Sequence, residues 1–375
     1  MNTFWSRTLS CGTLSVTPTG GSRAIDDLFE IAERRNPKRA FLFVSKVLGR
    51  HIPVSPDKMR AVYRQLADQF PSIADGPVLF IGMAETAVGL GAGVFDEVRQ
   101  RVSEPVYLTS TRHPQQGKLL CEFKENHSHA TDHLIYLPDD EQLRLRVLGA
   151  RTLVMIDDEA TTGNTFINLL EALRSDGGLT QIEQVIAVTL TDWSGDALPA
   201  RCPVPVSTVS LIQGDWNWQP DPDAALPQMP AAPTGDTVAV PLTGKQSWGR
   251  LGMEQPAADL GLGIRVHPGE KVLVLGSSEF VWEPFLLAER LAEQGADVKY
   301  SSTTRSPIAT GFAIESAIAF RDNYGLGIAN FVYNVAHQHF DRILLCIETP
   351  ADSVDPQLTD ALSRVAAKVE VISYD

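Results

Sequence analysis

The chain has little cysteine. Its four residues, Cys11, Cys121, Cys202 and Cys346, lie far apart with no C-x-x-C pair, which argues against a disulfide framework or a cysteine-based zinc site. It has no surplus of positive charge: 32 Lys and Arg against 46 Asp and Glu give a net charge of −14, which disfavours non-specific binding to nucleic acid or to anionic membranes. No apolar run approaches the roughly 18 residues of a membrane span. No basic stretch followed by an apolar core opens the chain, so the expectation is a cytoplasmic protein in a reducing compartment. What is present is an ordinary globular balance, 43% hydrophobic and 21% charged. At about 150 residues per domain, the length implies two domains.

Pro220, Pro222, Pro227, Pro230 and Pro233 crowd together among Ala, Asp and Gly, which marks an interdomain connection over 213–258. Trp216, Trp218 and Trp248 in or beside it predict that part of the segment packs on a domain surface. The implied division is an N-terminal segment 1–33, a first domain 34–212, the connection, and a second domain 259–375. In the first domain the apolar runs 78–81, 106–108, 153–156 and 185–190 read as strands buried on both faces. Helical patterns separate them, such as Phe166, Leu169, Leu170 and Leu173. Strand and helix alternation implies a mostly parallel α/β sheet. The second domain restarts in the same way, with strands at 271–275, 298–300 and 343–347 and a helix near 283–294.

The second domain echoes the first. VLFIGMAE from Val78 resembles VLVLGSSE from Val272, YLTSTRHP from Tyr107 resembles YSSTTRSP from Tyr300, and RTLVMID from Arg151 resembles RILLCIE from Arg342. Three matches in one order at nearly constant offset suggest a duplicated α/β unit, although apolar strands ending in polar loops resemble one another in any α/β protein.

The most informative stretch is LVMIDDEATTGNTF from Leu153: an apolar strand, two carboxylates, then a Thr- and Gly-rich turn opening an amphipathic helix. Ligands of open α/β sheets bind at the carboxyl ends of strands, where a helix N-terminus offers free N–H groups. Thr161, Thr162, Gly163, Asn164 and Thr165 are suited to cradle a phosphate, and Asp157 and Asp158 to accept hydrogen bonds from vicinal hydroxyls. Ribose 5-phosphate has that spacing.

This stretch resembles the phosphoribosyl diphosphate (PRPP) motif of type I phosphoribosyltransferases. The resemblance implies that the two acids hold the ribose hydroxyls and the turn holds the 5-phosphate. It departs from the family pattern at Glu159 and Ala160, where many members carry apolar residues. It further implies that Met83, Ala84, Glu85, Thr86 and Ala87 bind the diphosphate through backbone amides. Glu85 is awkward beside an anion: its side chain turns toward Mg²⁺ or a base, or it caps the next helix. More narrowly, NPKRAFLFVSKVLGRHIPV from Asn36, GMAETA, NHSHATDH and TTRSP are similar to the phosphoribosyltransferases of tellurite-resistance and stress-response gene clusters that carry a C-terminal TRSP domain.

Four of the eight histidines, His113, His127, His129 and His133, fall close together. They read as a metal site, as a solvated loop, or as the loop that type I enzymes fold over PRPP. On the last reading Gly117 is a hinge, Arg112 and Lys118 are cations, and His127 or His129 donates a proton. The resemblance implies Mg²⁺ carried mainly by PRPP, with Asp157 and Asp158 reaching it through water. The implied reaction is displacement of diphosphate by a base-like acceptor, and the partners are small molecules, with a homodimer compatible with the fold. A regulatory protein that binds PRPP or a nucleotide without turnover is the alternative. In the second domain the polar strand ends Ser277, Ser278, Glu279, Thr303, Thr304, Arg305, Ser306, Asn330, Tyr333, Asn334 and Glu348 form a second candidate site without a phosphate loop. There Arg305 either anchors a phosphate or carboxylate or pairs with Glu348 to brace the domain.

Overall fold

The computed structural model describes residues 4–36, 38–73, 75–124, 133–231, 233, 235–238, 240–242, 249–256 and 258–374. The chain opens with β1 (Trp5–Leu9) and β2 (Gly12–Gly21), followed by α1 (Ile25–Leu28) and the hairpin β3 (Phe29–Glu33) and β4 (Phe41–Ser45). Pro56, at the first turn after Ser55, starts α2 (Pro56–Ala67), which buries Met59, Val62, Tyr63 and Leu66. Then come β5 (Val78–Gly82), α3 (Val88–Val98), β6 (Pro105–Thr109), the hairpin β7 (Leu119–Phe123) and β8 (His133–Tyr136), and α4 (Glu141–Leu148). The first half closes with β9 (Thr152–Ile156), the short β10 (Glu159–Ala160), α5 (Asn164–Ser175), β11 (Gln184–Asp192), α6 (Ala197–Arg201) and β12 (Val206–Pro220).

Eight of these strands form one sheet in the order β1-β2-β12-β11-β9-β5-β6, with β10 beside β11. From β12 to β6 the pairing is parallel, whereas β2 joins β12 antiparallel. β5 and β9 are buried at every residue, which explains their unbroken apolar sequences. The chain adds β6 on one side of β5 and β9 on the other, so a topological switch point lies at their carboxyl ends.

Three segments differ from the sequence expectation. Residues 213–220 belong to β12 and not to a connection, because Trp216 and Trp218 pack on Phe41 with ring centroids 5.0 and 5.3 Å away. Trp248 lies outside the described residues. The N-terminal segment supplies β1 and β2 to the main sheet and β3 to the hairpin. The histidine-rich stretch 113–132 contains β7, paired with β8.

The second half is a four-stranded, all-parallel sheet in the order β14-β13-β17-β18. Its elements are β13 (Lys271–Gly276), α7 (Trp282–Glu293), β14 (Asp297–Ser302), the antiparallel hairpin β15 (Ala317–Arg321) and β16 (Ala329–Tyr333), β17 (Phe340–Ile347), α8 (Pro356–Leu362) and β18 (Ala366–Ser373). This repeats the central part of the first sheet, β6-β5-β9-β11, together with its hairpin. The repetition extends to individual hydrogen bonds. Tyr107 donates its hydroxyl to the Val88 carbonyl, as Tyr300 does to Val281, both at 3.0 Å. The Ala84 N–H donates to Ser110 Oγ, as the Ser278 N–H does to Thr303 Oγ1, both at 2.9 Å. Thr111 bridges Leu134 as Thr304 bridges Phe331. Apolar strand ends alone do not produce matched side-chain hydrogen bonds, so the echo in the sequence reflects a duplicated unit.

The two units pack through α2, α3 and α7, where Tyr63, Trp282, Phe285 and Tyr300 are buried in one continuous core. Burial of a side chain such as Phe285 contributes about 1.5–3 kcal/mol. Within the first unit Gly93 permits the close packing of α3 on α2, because a Cβ there would collide with the Tyr63 ring. Arg60 lies over Trp282 and Phe285 and pairs with Glu289, Asp96 and Glu97. A second contact joins β3 and β4 to the other unit, with Ala32 and Val44 packing on Ile308, Ile314, Phe331 and Tyr333.

Candidate functional site

The carboxyl end of β9 carries the two acids. Asp157 is anchored by its N–H to the Val188 carbonyl at 3.0 Å, and its Oδ1 accepts the Asp158 N–H at 2.9 Å. Both side chains are partly exposed. The chain then turns through Thr161 and Thr162 to Gly163, whose φ of 71° is left-handed and sets the first turn of α5. Leu198 Cβ would lie 2.9 Å from a Cβ at this position, so Gly163 is required by both conformation and space. Asn164 accepts from Arg201 at 2.6 Å, and its N–H faces Thr162 Oγ1 at 3.4 Å. Thr165 lies in the opening turn of α5. The result is a helix N-terminus with hydroxyls and free N–H groups beside two carboxylates, which is chemistry suited to a sugar phosphate.

Glu159 does not face the loop unaccompanied. Arg39, from the connection between β3 and β4, grips it at 2.6 and 2.9 Å and approaches Thr161 Oγ1 at 3.5 Å. The same guanidinium lies over the Phe41 and Trp216 rings. Burial, and the neighbouring Arg39, lower the Arg34 guanidinium to about 10.

The loop after β5 lies directly beside the acids, since the Met83 N–H donates to the Ile156 carbonyl at 3.0 Å. Ala84 is held by Ser110, Ala87 donates back to the Met83 carbonyl at 3.1 Å, and the Ala84–Glu85 peptide bond is cis. Thr86 lines a small cavity shared with Arg50, Val281 and Tyr300. The Glu85 carboxylate does not cap α3. It meets Arg50 at 3.0 Å, Arg112 at 4.0 Å, and Arg305 of the second unit.

The carboxyl ends of the two sheets therefore face each other. Glu279, after β13, accepts Thr111 Oγ1 at 2.6 Å and the Arg112 N–H at 2.9 Å. Arg250 joins it to Glu348, donating twice to Glu348 at 2.8 Å, and all three side chains are buried. Burial alone would raise the Glu279 carboxyl; His113, Arg250 and the hydrogen bonds from Thr111 and Arg112 outweigh it and hold the group down to about 2. Tyr324 donates to Glu348 at 2.9 Å and stacks on His113, whose imidazole burial keeps below its usual value.

These contacts change the reading of the second unit. Arg305 pairs with Glu85 of the first unit and not with Glu348, whose cation is Arg250. Ser277 meets Tyr324 at 3.3 Å, and Ser278, with φ of 51°, receives Arg50 on its carbonyl at 2.6 Å. Thr303 holds Ser278, and Thr304 accepts from Ser306 at 3.2 Å. Asn334 donates to the carbonyls of His51 and Ala313, while Ser306 accepts the Tyr333 hydroxyl. Asn330 sits buried in β16. After Glu348 the chain forms a short turn at Ala351–Ser353, without a glycine loop.

Of the histidine group, His133 is wholly buried between Ser110 Oγ at 2.9 Å and Arg112 at 3.2 Å, stacked on Phe123. That environment is structural. His127 and His129 lie outside the described residues. Lys118 is exposed just before β7. No set of three or more His, Cys, Asp or Glu suited to a metal ion occurs among the described residues. No helix among them is long and apolar enough to cross a membrane. Arg39, Arg50 and Arg250 escaped sequence reasoning. The first two lie within the stretch from Asn36 that carries the narrower resemblance, whereas no local pattern marks Arg250.

Residues 28–215 match the family model described as phosphoribosyl transferase, and residues 249–362 match that of the TRSP domain C-terminal to it. No curated protein matches. Among solved structures, adenine phosphoribosyltransferase from Rhodothermus marinus is 19% identical, covering 50% of this chain and 94% of its own, with a TM-score of 0.32. The Giardia lamblia enzyme complexed with 9-deazaadenine is 14% identical, covering 50% and 98%, with a TM-score of 0.33. Orotate phosphoribosyltransferase from Aeropyrum pernix is 19% identical, covering 46% and 79%, with a TM-score of 0.26. With half of its length matched by the family model, the chain belongs to the phosphoribosyl transferase family and is a phosphoribosyltransferase with a TRSP domain on its C-terminal side.

Proposed function

We propose that the first unit transfers the phosphoribosyl group of PRPP to a ring nitrogen of a base-like acceptor, with Mg²⁺ accompanying the diphosphate. The observation that carries this reading is the pair Asp157 and Asp158 one turn before the left-handed Gly163 at the start of α5. The loop 161–165 holds the 5-phosphate through N–H groups and threonine hydroxyls, and the two acids accept from the ribose hydroxyls. The loop 83–87 lies beside them for the diphosphate.

The bond from the acceptor nitrogen to C1 forms as the bond from C1 to the diphosphate oxygen breaks. The electron pair leaves with diphosphate, and the acceptor's N–H proton passes to the departing diphosphate or to water. Charge develops on the leaving group, so fixed donors aimed there lower the barrier most. The donor set fits Mg²⁺ held largely by substrate: two adjacent, partly exposed carboxylates and no closed protein cage among the described residues. Asp157 and Asp158 would reach the ion through water, and the ion would neutralise diphosphate charge. The stress-response setting rests on the sequence resemblance alone.

Incubation of the full chain with PRPP, Mg²⁺ and a pool of nitrogenous bases tests the proposal. Base-dependent release of diphosphate is expected. PRPP binding without release under every acceptor would instead make this a binding protein.

A further inference from the structure

We infer that the second unit completes the leaving-group site of the first. On this inference Arg305, with Arg50 and Arg112, forms a diphosphate subsite, and the Glu85 carboxylate occupies it until diphosphate displaces it. The inference rests on the PRPP reading above and adds a role for the second unit.

Three guanidinium groups from separate segments converge on one carboxylate. Nearby, Arg250 is balanced by Glu279 and Glu348. Glu85 is thus shared by three guanidinium groups, whereas Arg250 is shared by two carboxylates. Arg305 also has an unused donor: its Nε is committed to Glu85, while its Nη2 is buried without a hydrogen-bond partner among the described residues. A guanidinium fork with one free branch is suited to bridge a second anionic oxygen.

The duplication supplies an internal control. Glu279 stands at the position equivalent to Glu85, and it is sealed: 1% of its side chain is exposed, and Thr111, the Arg112 N–H and Arg250 satisfy it. Glu85 keeps 13% exposure. Equivalent acids thus have a sealed environment in one unit and a partly exposed one in the other, and the latter lies on the loop whose Met83 N–H binds the Ile156 carbonyl, just before Asp157. A carboxylate among three arginines mimics a phosphate oxygen pair in charge and geometry.

Calorimetry on the full chain tests this, with inorganic diphosphate as probe and ribose 5-phosphate as reference. Arg305→Ala should weaken diphosphate binding by about tenfold to a hundredfold, and Arg305→Lys by less, with ribose 5-phosphate affinity unchanged. Glu85→Gln should tighten diphosphate binding. Unchanged diphosphate affinity in both Arg305→Ala and Glu85→Gln overturns the inference. So does a parallel loss of both ligands with a lowered melting temperature, which marks a brace. A wild-type protein that binds ribose 5-phosphate but not diphosphate overturns this inference alone; one that binds neither overturns the PRPP reading as well.

Discussion

Glu85 and Arg305 are ion-paired across the two units of the chain, and their counterparts meet in the reverse sense, the Arg112 N–H donating to Glu279. Such reciprocity is the signature of an isologous two-fold interface, here formed between two halves of one polypeptide. One half carries the turn through Gly163 at the start of α5, and the other has no glycine turn after Glu348.

Arg250 is the cation on which the buried part of this interface depends. Arg250→Ala would leave Glu279 and Glu348 buried without it, and breaking such a buried group costs about 3–5 kcal/mol. Urea unfolding should show a loss of that size; stability near that of the wild type would contradict the assignment.

Glu283 should make stability depend on pH. Burial raises its carboxyl to about 9, with Asp259 adding to the shift and Arg290 opposing it. Its folded-state value lies above its ordinary 4.5, so the stabilisation is fully present below that pH and is lost as pH rises through about 9. The slope is at most about 1.4 kcal/mol per pH unit. Glu283→Gln should flatten the profile and exceed the wild type in stability toward the alkaline end. Parallel melting curves for the two proteins across this range would refute it.

Gly163→Ala places a Cβ at φ of 71° and 2.9 Å from Leu198 Cβ. The left-handed conformation costs about 1–2 kcal/mol, and the loop must shift to relieve the contact. Ribose 5-phosphate affinity should fall with little change in secondary structure. Unaltered affinity would show that the phosphate sits elsewhere.

On the reading that the stretch from His113 folds over PRPP, Lys118→Ala should lower turnover more than PRPP affinity, because such a cation acts mainly in the transition state. Steady-state kinetics beside direct binding separates the two effects. A loss confined to binding, with kcat intact, would remove Lys118 from the reaction.

The strands of both sheets were legible because burial on both faces leaves unbroken apolar runs, as in 78–81 and 153–156. The Thr- and Gly-rich turn opening α5 was legible because its residues are contiguous. Contacts made across the fold were not. Arg39, Arg50 and Arg250 act on acids far away in sequence, and nothing local announces their partners. Arg305 stood out in sequence at a polar strand end, but its partner Glu85 belongs to the other unit. β12 ran past its expected end because Trp216 and Trp218 find an aromatic partner in Phe41, a tertiary contact outweighing a proline-rich composition. The duplication was visible only as an echo, and matched hydrogen bonds such as those of Tyr107 and Tyr300 decide it.

Titration of PRPP with Mg²⁺ into the Asp157→Asn, Asp158→Asn double variant tests the central claim most directly. Each lost charge-assisted hydrogen bond costs about 1.5–3 kcal/mol, so binding should vanish from the calorimetric window while the melting curve stays that of a folded protein. PRPP affinity equal to that of the wild type in the folded double variant would contradict the account.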